Sequence, residues 1–213
     1  FDYQIPMGSL APQFRKTRDD FRTFQKPYIP RLKEGEIKVR NKLSLEEGQL
    51  LIGLCWRSSV QKKSDRHNIT VETLAPLQKM KNAVFLGIQY DDCLTELDRV
   101  RELGLPIRYY TNIDQKNDLA SASALIGACD LVISASTTVF QMSGALGVPT
   151  IQFEGYSRSK QHYIPWFPTV RHFPLNPNEP SLLINNIIKQ MPELITWANE
   201  VTTSGRQVNS YSS

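Results

Sequence analysis

The sequence predicts an α/β fold: a doubly wound, Rossmann-like parallel sheet behind an irregular N-terminal arm. Three observations carry that prediction. Short apolar runs recur at 50–55, 83–88, 106–110, 131–134, 150–153 and 170–173, each bounded by turn residues. Such runs suit parallel strands covered on both faces. Helical periods fill the gaps between them, and strands that alternate with helices make βαβ units. Right-handed crossovers then wind the helices onto both faces of the sheet.

Residues 1–48 read as an inter-domain arm or linker. Pro6, Pro12, Pro27 and Pro30 punctuate them, the apolar residues keep no period, and a short helix is expected near 37–43. Leu50-Leu51-Ile52-Gly53-Leu54-Cys55 is the first strand and 83–88 the second. Asp92 is placed to cap a helix carrying Leu94, Leu97, Val100 and Leu103, which Gly104 ends. The third strand follows at 106–110. Asp118 is placed to cap a helix over 119–128, and the fourth strand runs over 131–134. Ser136 is placed to cap a helix over 137–146, with Gly147 past its end and Pro149 opening the fifth strand at 150–153. The run at 170–173 is the sixth strand. Helices at 181–190 and 193–201 complete a Rossmann-like domain taken as 49–205, and 206–213 form a loose tail.

Composition fits this picture. The 213 residues are 40% hydrophobic and 22% charged, enough for one sizeable core. No apolar run approaches the roughly 20 residues of a membrane helix. The 25 basic and 21 acidic residues leave a net charge of +4, which is no nucleic-acid signature. The denser basic stretches, 15–22 and 33–42, also contain acids and read as solvated faces. Cys55, Cys93 and Cys129 are odd in number and lack metal or disulfide spacing, so a reducing cytoplasm is the expected location. His67, His162 and His172 show no metal-ligand spacing, and no metal or cofactor is expected. GxGxxG, GxxxxGK[ST] and GxSxG are all absent, which disfavours an ordinary dehydrogenase, a P-loop NTPase and a serine hydrolase of the elbow type. The chain starts at Phe1 without a signal-peptide pattern, so the numbering is expected to begin inside a longer protein.

In doubly wound sheets ligands bind outside the carboxyl ends of the strands. The fourth strand ends in Ser134-Ala135-Ser136-Thr137-Thr138 and enters a helix directly. Two readings stand side by side: a hydroxyl N-cap, or a cradle in which a helix start and three hydroxyls hold a phosphate. The first strand ends in Trp56-Arg57-Ser58-Ser59, followed by Lys62, Lys63 and Arg66. A small-residue turn lets backbone amides approach a diphosphate, and Arg57 or Arg66 has the guanidinium to hold it in bidentate fashion. A solvated basic loop is the plainer reading. Asp114 and Asp118 are within reach of a ribose, though Asp118 also suits a helix cap. Trp166-Phe167-Pro168 reads as packing at the edge of the ligand face.

Taken in order, these loops resemble a known family. Ile52-Gly53-Leu54-Cys55-Trp56-Arg57, Gln89-Tyr90-Asp91-Asp92-Cys93, Asp130-Leu131-Val132-Ile133-Ser134, Ser143-Gly144-Ala145-Leu146-Gly147-Val148-Pro149, Pro165-Trp166-Phe167-Pro168 and Arg171 follow one another as in the C-terminal domain of bacterial glycosyltransferases attached to tetratricopeptide repeats. Those enzymes are related to heptosyltransferases and, more distantly, to O-linked N-acetylglucosamine transferases. The segment 1–30 also resembles the family's inter-domain stretch. The resemblance implies the C-terminal half of a GT-B architecture, two Rossmann-like domains around a cleft, in which this half binds a nucleotide-sugar donor without a metal. It implies phosphate contacts for Ser136, Thr137, Thr138 and Gln141, and for Ser58, Ser59 and Arg66 on the first loop, where Arg57 remains the further candidate read from the residues. Gln89, Tyr90, Asp114 and Asp118 are the candidates for the nucleoside side. The family's base belongs to the other domain, so no catalytic residue is assigned.

Two positions depart from the family pattern. Ser136 stands where Asp is usual and Gln141 where His is usual, and Gln donates a hydrogen bond without bringing a charge. The expected function is donor binding in a metal-independent glycosyltransferase that acts on a protein or glycan acceptor, inactive without its N-terminal domain, with tetratricopeptide repeats expected elsewhere in the full-length protein. The alternative is a degenerate domain of the same fold used as a non-enzymatic protein-interaction module. A sugar-nucleotide epimerase is a third reading of the same sheet.

Overall fold

The computed structural model describes residues 2–17, 19–21, 27–59, 67–155 and 166–209. Six strands form one sheet: β1 (Leu50–Cys55), β2 (Ala83–Gly87), β3 (Ile107–Tyr109), β4 (Leu131–Ala135), β5 (Thr150–Gly155) and β6 (Val170–Leu175). All pairs are parallel, in the order β3-β2-β1-β4-β5-β6. The expected doubly wound, Rossmann-like sheet is therefore present. The helices are α1 (Met7–Phe14), α2 (Lys33–Lys42), α3 (Leu94–Glu102), α4 (Leu119–Ala128), α5 (Thr138–Ala145), α6 (Ser181–Lys189) and α7 (Met191–Asn209). Between β1 and β2 the crossover is a 3₁₀ segment, Val71–Lys79, which contains Pro76. Proline removes a helical donor and blocks the preceding turn, so a regular α-helix is disfavoured there. Among the described residues no helix is long and apolar enough to cross a membrane.

Alternation along the strands divides the core in two. Ile52 and Leu54 of β1 join Phe85, Ile133 and Phe153 under the 3₁₀ segment, α3, α6 and α7. Leu51 and Cys55 point the other way and join Leu86, Val132, Leu125 and Ile126 under α2, α4 and α5. The central strands β1, β4 and β5 are thus buried on both faces, which explains why β1 and β4 read as continuous apolar runs.

The N-terminal region is partly built into this core. α2 packs on α4, burying Val39 and Leu43. Arg31 pairs with Glu36 at 2.6 Å and also donates to the carbonyl of Gly127. Arg40 pairs with Asp130 at 3.1 Å and donates to the carbonyl of Ala128 at 2.6 Å. Two guanidinium groups therefore satisfy the orphan carbonyls at the end of α4, where a cation is also favoured by the helix dipole. α1, by contrast, contains Pro12 and buries no residue.

Farther along, residues 27–29 sit on the end of α5. The amides of Tyr28 and Ile29 both donate to the carbonyl of Ala145, at 3.0 and 3.1 Å. Two glycines make the seat. Gly147 has φ +73° and lies against Pro27. Gly144 faces Phe167, whose ring stacks on Tyr28 and meets Phe140 edge-on. A Cβ at 144 would come within 2.7 Å of Phe167 Cγ. Gly144→Ala gains up to about 1 kcal/mol of helix propensity. Overpacking costs about 1–3 kcal/mol, and that term wins because a ring anchored on both sides yields little. Thermal unfolding of Gly144→Ala is expected to show a melting temperature lower by about 2–4 °C.

Candidate functional site

The strand order reverses between β1 and β4, which lie side by side with Cys55 opposite Ser134. The strand ends at this reversal point form the natural ligand crevice of such a sheet. The loops that follow β1, β2 and β4 meet there.

The cap of α5 differs from expectation by one residue. Thr137, not Ser136, is the N-cap: its backbone is extended, and its hydroxyl accepts from the amide of Val139 at 3.2 Å. Thr137 wins because it is buried among partners that fix its hydroxyl, whereas Ser136 is only half-buried. Thr138 is the first helical residue and is exposed. Gln141, one turn in, is exposed as well. A similar shift occurs at α3, where Cys93 holds the N-cap place and Asp92 accepts from the amide of Leu94 at 3.2 Å.

A buried polar cluster sets Thr137. The Cys55 thiol lies 3.6 Å from the Thr137 hydroxyl and donates to Gln89 Oε1, also at 3.6 Å. Ser134 Oγ lies 3.4 Å from the same hydroxyl. Burial pushes the Cys55 thiol up to about 12. It is therefore a neutral packing group and not a nucleophile. Gln89 is fully buried and donates to the carbonyl of Arg57 at 2.9 Å and to Asp91 at 2.7 Å. It is a strut between two loops.

Arg57 is a clamp. Its guanidinium contacts Asp91 and Glu96, each at 2.5 Å, and donates to the carbonyl of Asp92 at 2.9 Å. The Trp56 indole N–H donates to Glu96 at 2.8 Å. Hydrogen bonding to Glu96 first, and then to Asp91, holds the Arg57 pKa above its ordinary value. Two carboxylates thus offset its charge locally. Ser58 donates its amide to Asn68 at 2.9 Å, and Ser59 donates its own to the Tyr90 hydroxyl at 3.1 Å. Arg66 lies outside the described residues.

The two acids read as ribose contacts are engaged in local turns. Asp114 accepts from the amides of Lys116 and Asn117 and from the Asn117 side chain, and the last of these bonds leads in lowering its pKa. Asp118 caps α4 through the amide of Ser121 at 3.0 Å.

Beside the start of α5 lies a cavity of about 180 Å³. Ile88, Leu119, Ile126, Val139 and Met142 supply apolar walls. Tyr90, Gln115, Lys116 and Thr138 supply the polar groups, and Thr138 joins the cavity to the helix start. Sequence reasoning named Tyr90 and Thr138 but missed the rest. The signal in the sequence was Leu119, an apolar residue directly after the expected cap Asp118 at the ligand edge, and the structure leaves it 58% exposed. A larger hollow of about 390 Å³ lies at the opposite strand ends, but its charged residues, Arg31, Glu36, Arg40 and Asp130, already pair with one another. Among the described residues no three His, Cys, Asp or Glu side chains group as a metal site would require.

No family model matches the chain. Protein FlbA of Caulobacter vibrioides is 31% identical over a stretch covering 81% of this chain and 30% of that protein. Among solved structures, the family 9 glycosyl transferase of Veillonella parvula aligns with a TM-score of 0.61 at 14% identity, over 81% of this chain and 54% of that one. The E. coli ADP-heptose LPS heptosyltransferase II aligns at 0.57 and 15% identity, over 77% and 52%. WaaG, a glycosyltransferase of lipopolysaccharide biosynthesis, aligns at 0.50 and 18%, over 85% and 49%. The chain spans under a third of FlbA and about half of each glycosyltransferase structure, and with those structures it shares the fold of an α/β lobe.

Proposed function

We propose that this chain is the donor-binding lobe of a glycosyltransferase and holds the nucleoside diphosphate of a nucleotide sugar. One observation carries the reading: the apolar cavity opens onto the start of α5 at the point where the strand order reverses. An apolar slot accepts a planar base, and the neighbouring helix start accepts the phosphates. In this reading the amides of α5 and the Thr138 hydroxyl bind the diphosphate, with Lys116 at the rim. Arg66 is the further cation that the resemblance supplies. As the sugar is displaced, negative charge grows on the departing diphosphate. A fixed helix start and cations stabilise that charge without a metal. Ser136 and Gln141 add hydrogen bonds but no charge.

Arg57 belongs to the framework in this proposal: it holds the loops after β1 and β2 together and does not contact phosphate. The base, the protein or glycan acceptor and any tetratricopeptide repeats belong to other parts of the enzyme. A second reading, a non-transferring interaction module of the same fold, draws on the local cancellation of the Arg57 charge by Asp91 and Glu96.

A thermal-shift panel of nucleoside diphosphates separates the two. At 100 times the dissociation constant a ligand adds about 2.7 kcal/mol, worth several degrees for a domain of this size. At least one of UDP, ADP and GDP is expected to raise the melting temperature, while the 213-residue chain alone transfers no sugar. No shift with any of them favours the interaction module. Robust transfer by the chain alone would mean that the acceptor side and the base have been misplaced.

A further inference from the structure

We propose that Gln115 selects the base bound in the α4–α5 cavity by accepting a hydrogen bond from an N–H of the heterocycle. The inference rests on the nucleotide-site reading and goes further by naming the group that reads the ring. Gln115 is 7% exposed and lines the cavity. Its Nε2 donates to the carbonyl of Gly87 at 3.5 Å. That bond orients the carboxamide so that nitrogen faces the end of β2 and oxygen faces away from it. Among the described residues this oxygen accepts no hydrogen bond, yet it is not sealed from solvent. The oxygen is therefore an open acceptor on an otherwise nearly buried side chain, and a donor on a ligand seated in the cavity can take the place of solvent there.

The surroundings say what kind of donor fits. Ile88, Leu119, Val139 and Met142 cover the faces of a flat ring but offer its edge nothing. The Lys116 ammonium only donates. The Tyr90 hydroxyl is already in contact with Ser59. The Gln115 oxygen is thus the acceptor presented to the ring edge. Its complement is a planar heterocycle with an N–H on that edge: the N3–H of uracil, the N1–H of guanine or the exocyclic amine of adenine.

The test is a cycle between protein and ligand. UDP, GDP and ADP are titrated calorimetrically into the wild type, Gln115→Leu and Gln115→Glu, with melting temperatures recorded to verify folding. The nucleotide that binds the wild type best is titrated again with its donor methylated, as N3-methyl-UDP, N1-methyl-GDP or N6,N6-dimethyl-ADP. Gln115→Leu is expected to weaken the parent nucleotide about tenfold, the scale of one hydrogen bond. Methylation should weaken binding to the wild type by a similar factor and cost Gln115→Leu nothing more. Gln115→Glu, which keeps an acceptor, should retain more affinity than Gln115→Leu. Equal binding of the parent by wild type and Gln115→Leu overturns the assignment, as does an undiminished methylation penalty in Gln115→Leu. Failure of all three nucleotides to bind the wild type overturns the nucleotide-site reading, and this inference falls with it.

Discussion

Thr138→Asp is expected to cripple nucleotide binding while leaving the fold as stable as before. Thr138 is exposed at the first position of α5, so the new side chain meets no steric obstacle. A carboxylate in the first turn favours the helix by about 0.3–1 kcal/mol through the dipole. The same carboxylate stands where the proposed diphosphate sits. At an effective dielectric near 20 and a few ångströms, like charges repel by about 3 kcal/mol, less with salt screening. Affinity for a nucleoside diphosphate should fall roughly 30- to 150-fold, which corresponds to about 2–3 kcal/mol. Calorimetric titration and a melting curve read the two effects separately. Thr138→Val is the control, since it removes the hydroxyl without adding charge. Unchanged affinity in Thr138→Asp would place the phosphates elsewhere.

Arg57→Ala should act on the fold. Removing the guanidinium leaves Asp91 and Glu96 without their shared cation, at side-chain exposures of only 15% and 26%. Breaking a fully buried pair costs about 3–5 kcal/mol, and partial exposure reduces this to about 2–3 kcal/mol. The melting temperature is then expected to fall by about 5–10 °C for a domain of this size. Arg57→Lys should recover only part of the loss, because one ammonium cannot match a planar fork that reaches two carboxylates and a carbonyl. A normal melting curve for Arg57→Ala would show that the clamp contributes nothing to stability. A direct phosphate contact would show itself differently, as weakened binding in a variant of wild-type stability.

The central strands were legible because burial on both faces writes an uninterrupted apolar run. β1 was read to the residue. β6 was read short, because beyond Phe173 it continues through Pro174 to Leu175, and its exposed Arg171 and half-buried His172 break the run. α1 went unread because Pro12 interrupts its pattern and no face of it is buried. At the site, Ser136-Thr137-Thr138 stood out because hydroxyls between a strand and a helix have few uses. The role of Arg57 did not, because its carboxylate partners lie 34 and 39 positions away and only the tertiary fold joins them. Gln115 sits in a polar turn among Asp114, Lys116 and Asn117, where nothing local marks one amide as buried.

The docking of α2 decides where this molecule can be divided. Arg31 and Arg40 precede the first strand, yet they close the end of α4, and Asp130, which Arg40 holds, accepts the amide of Leu51 at the start of β1. A piece that begins at β1 loses both cations at once and lays bare the surface of α4 against which Gly35 is closely fitted. The portable unit for gene fusion, or for exchange between related proteins, therefore has its seam upstream of Pro27, in what looks like connecting chain. A swap made at the start of the sheet would separate a helix from the residues that finish it.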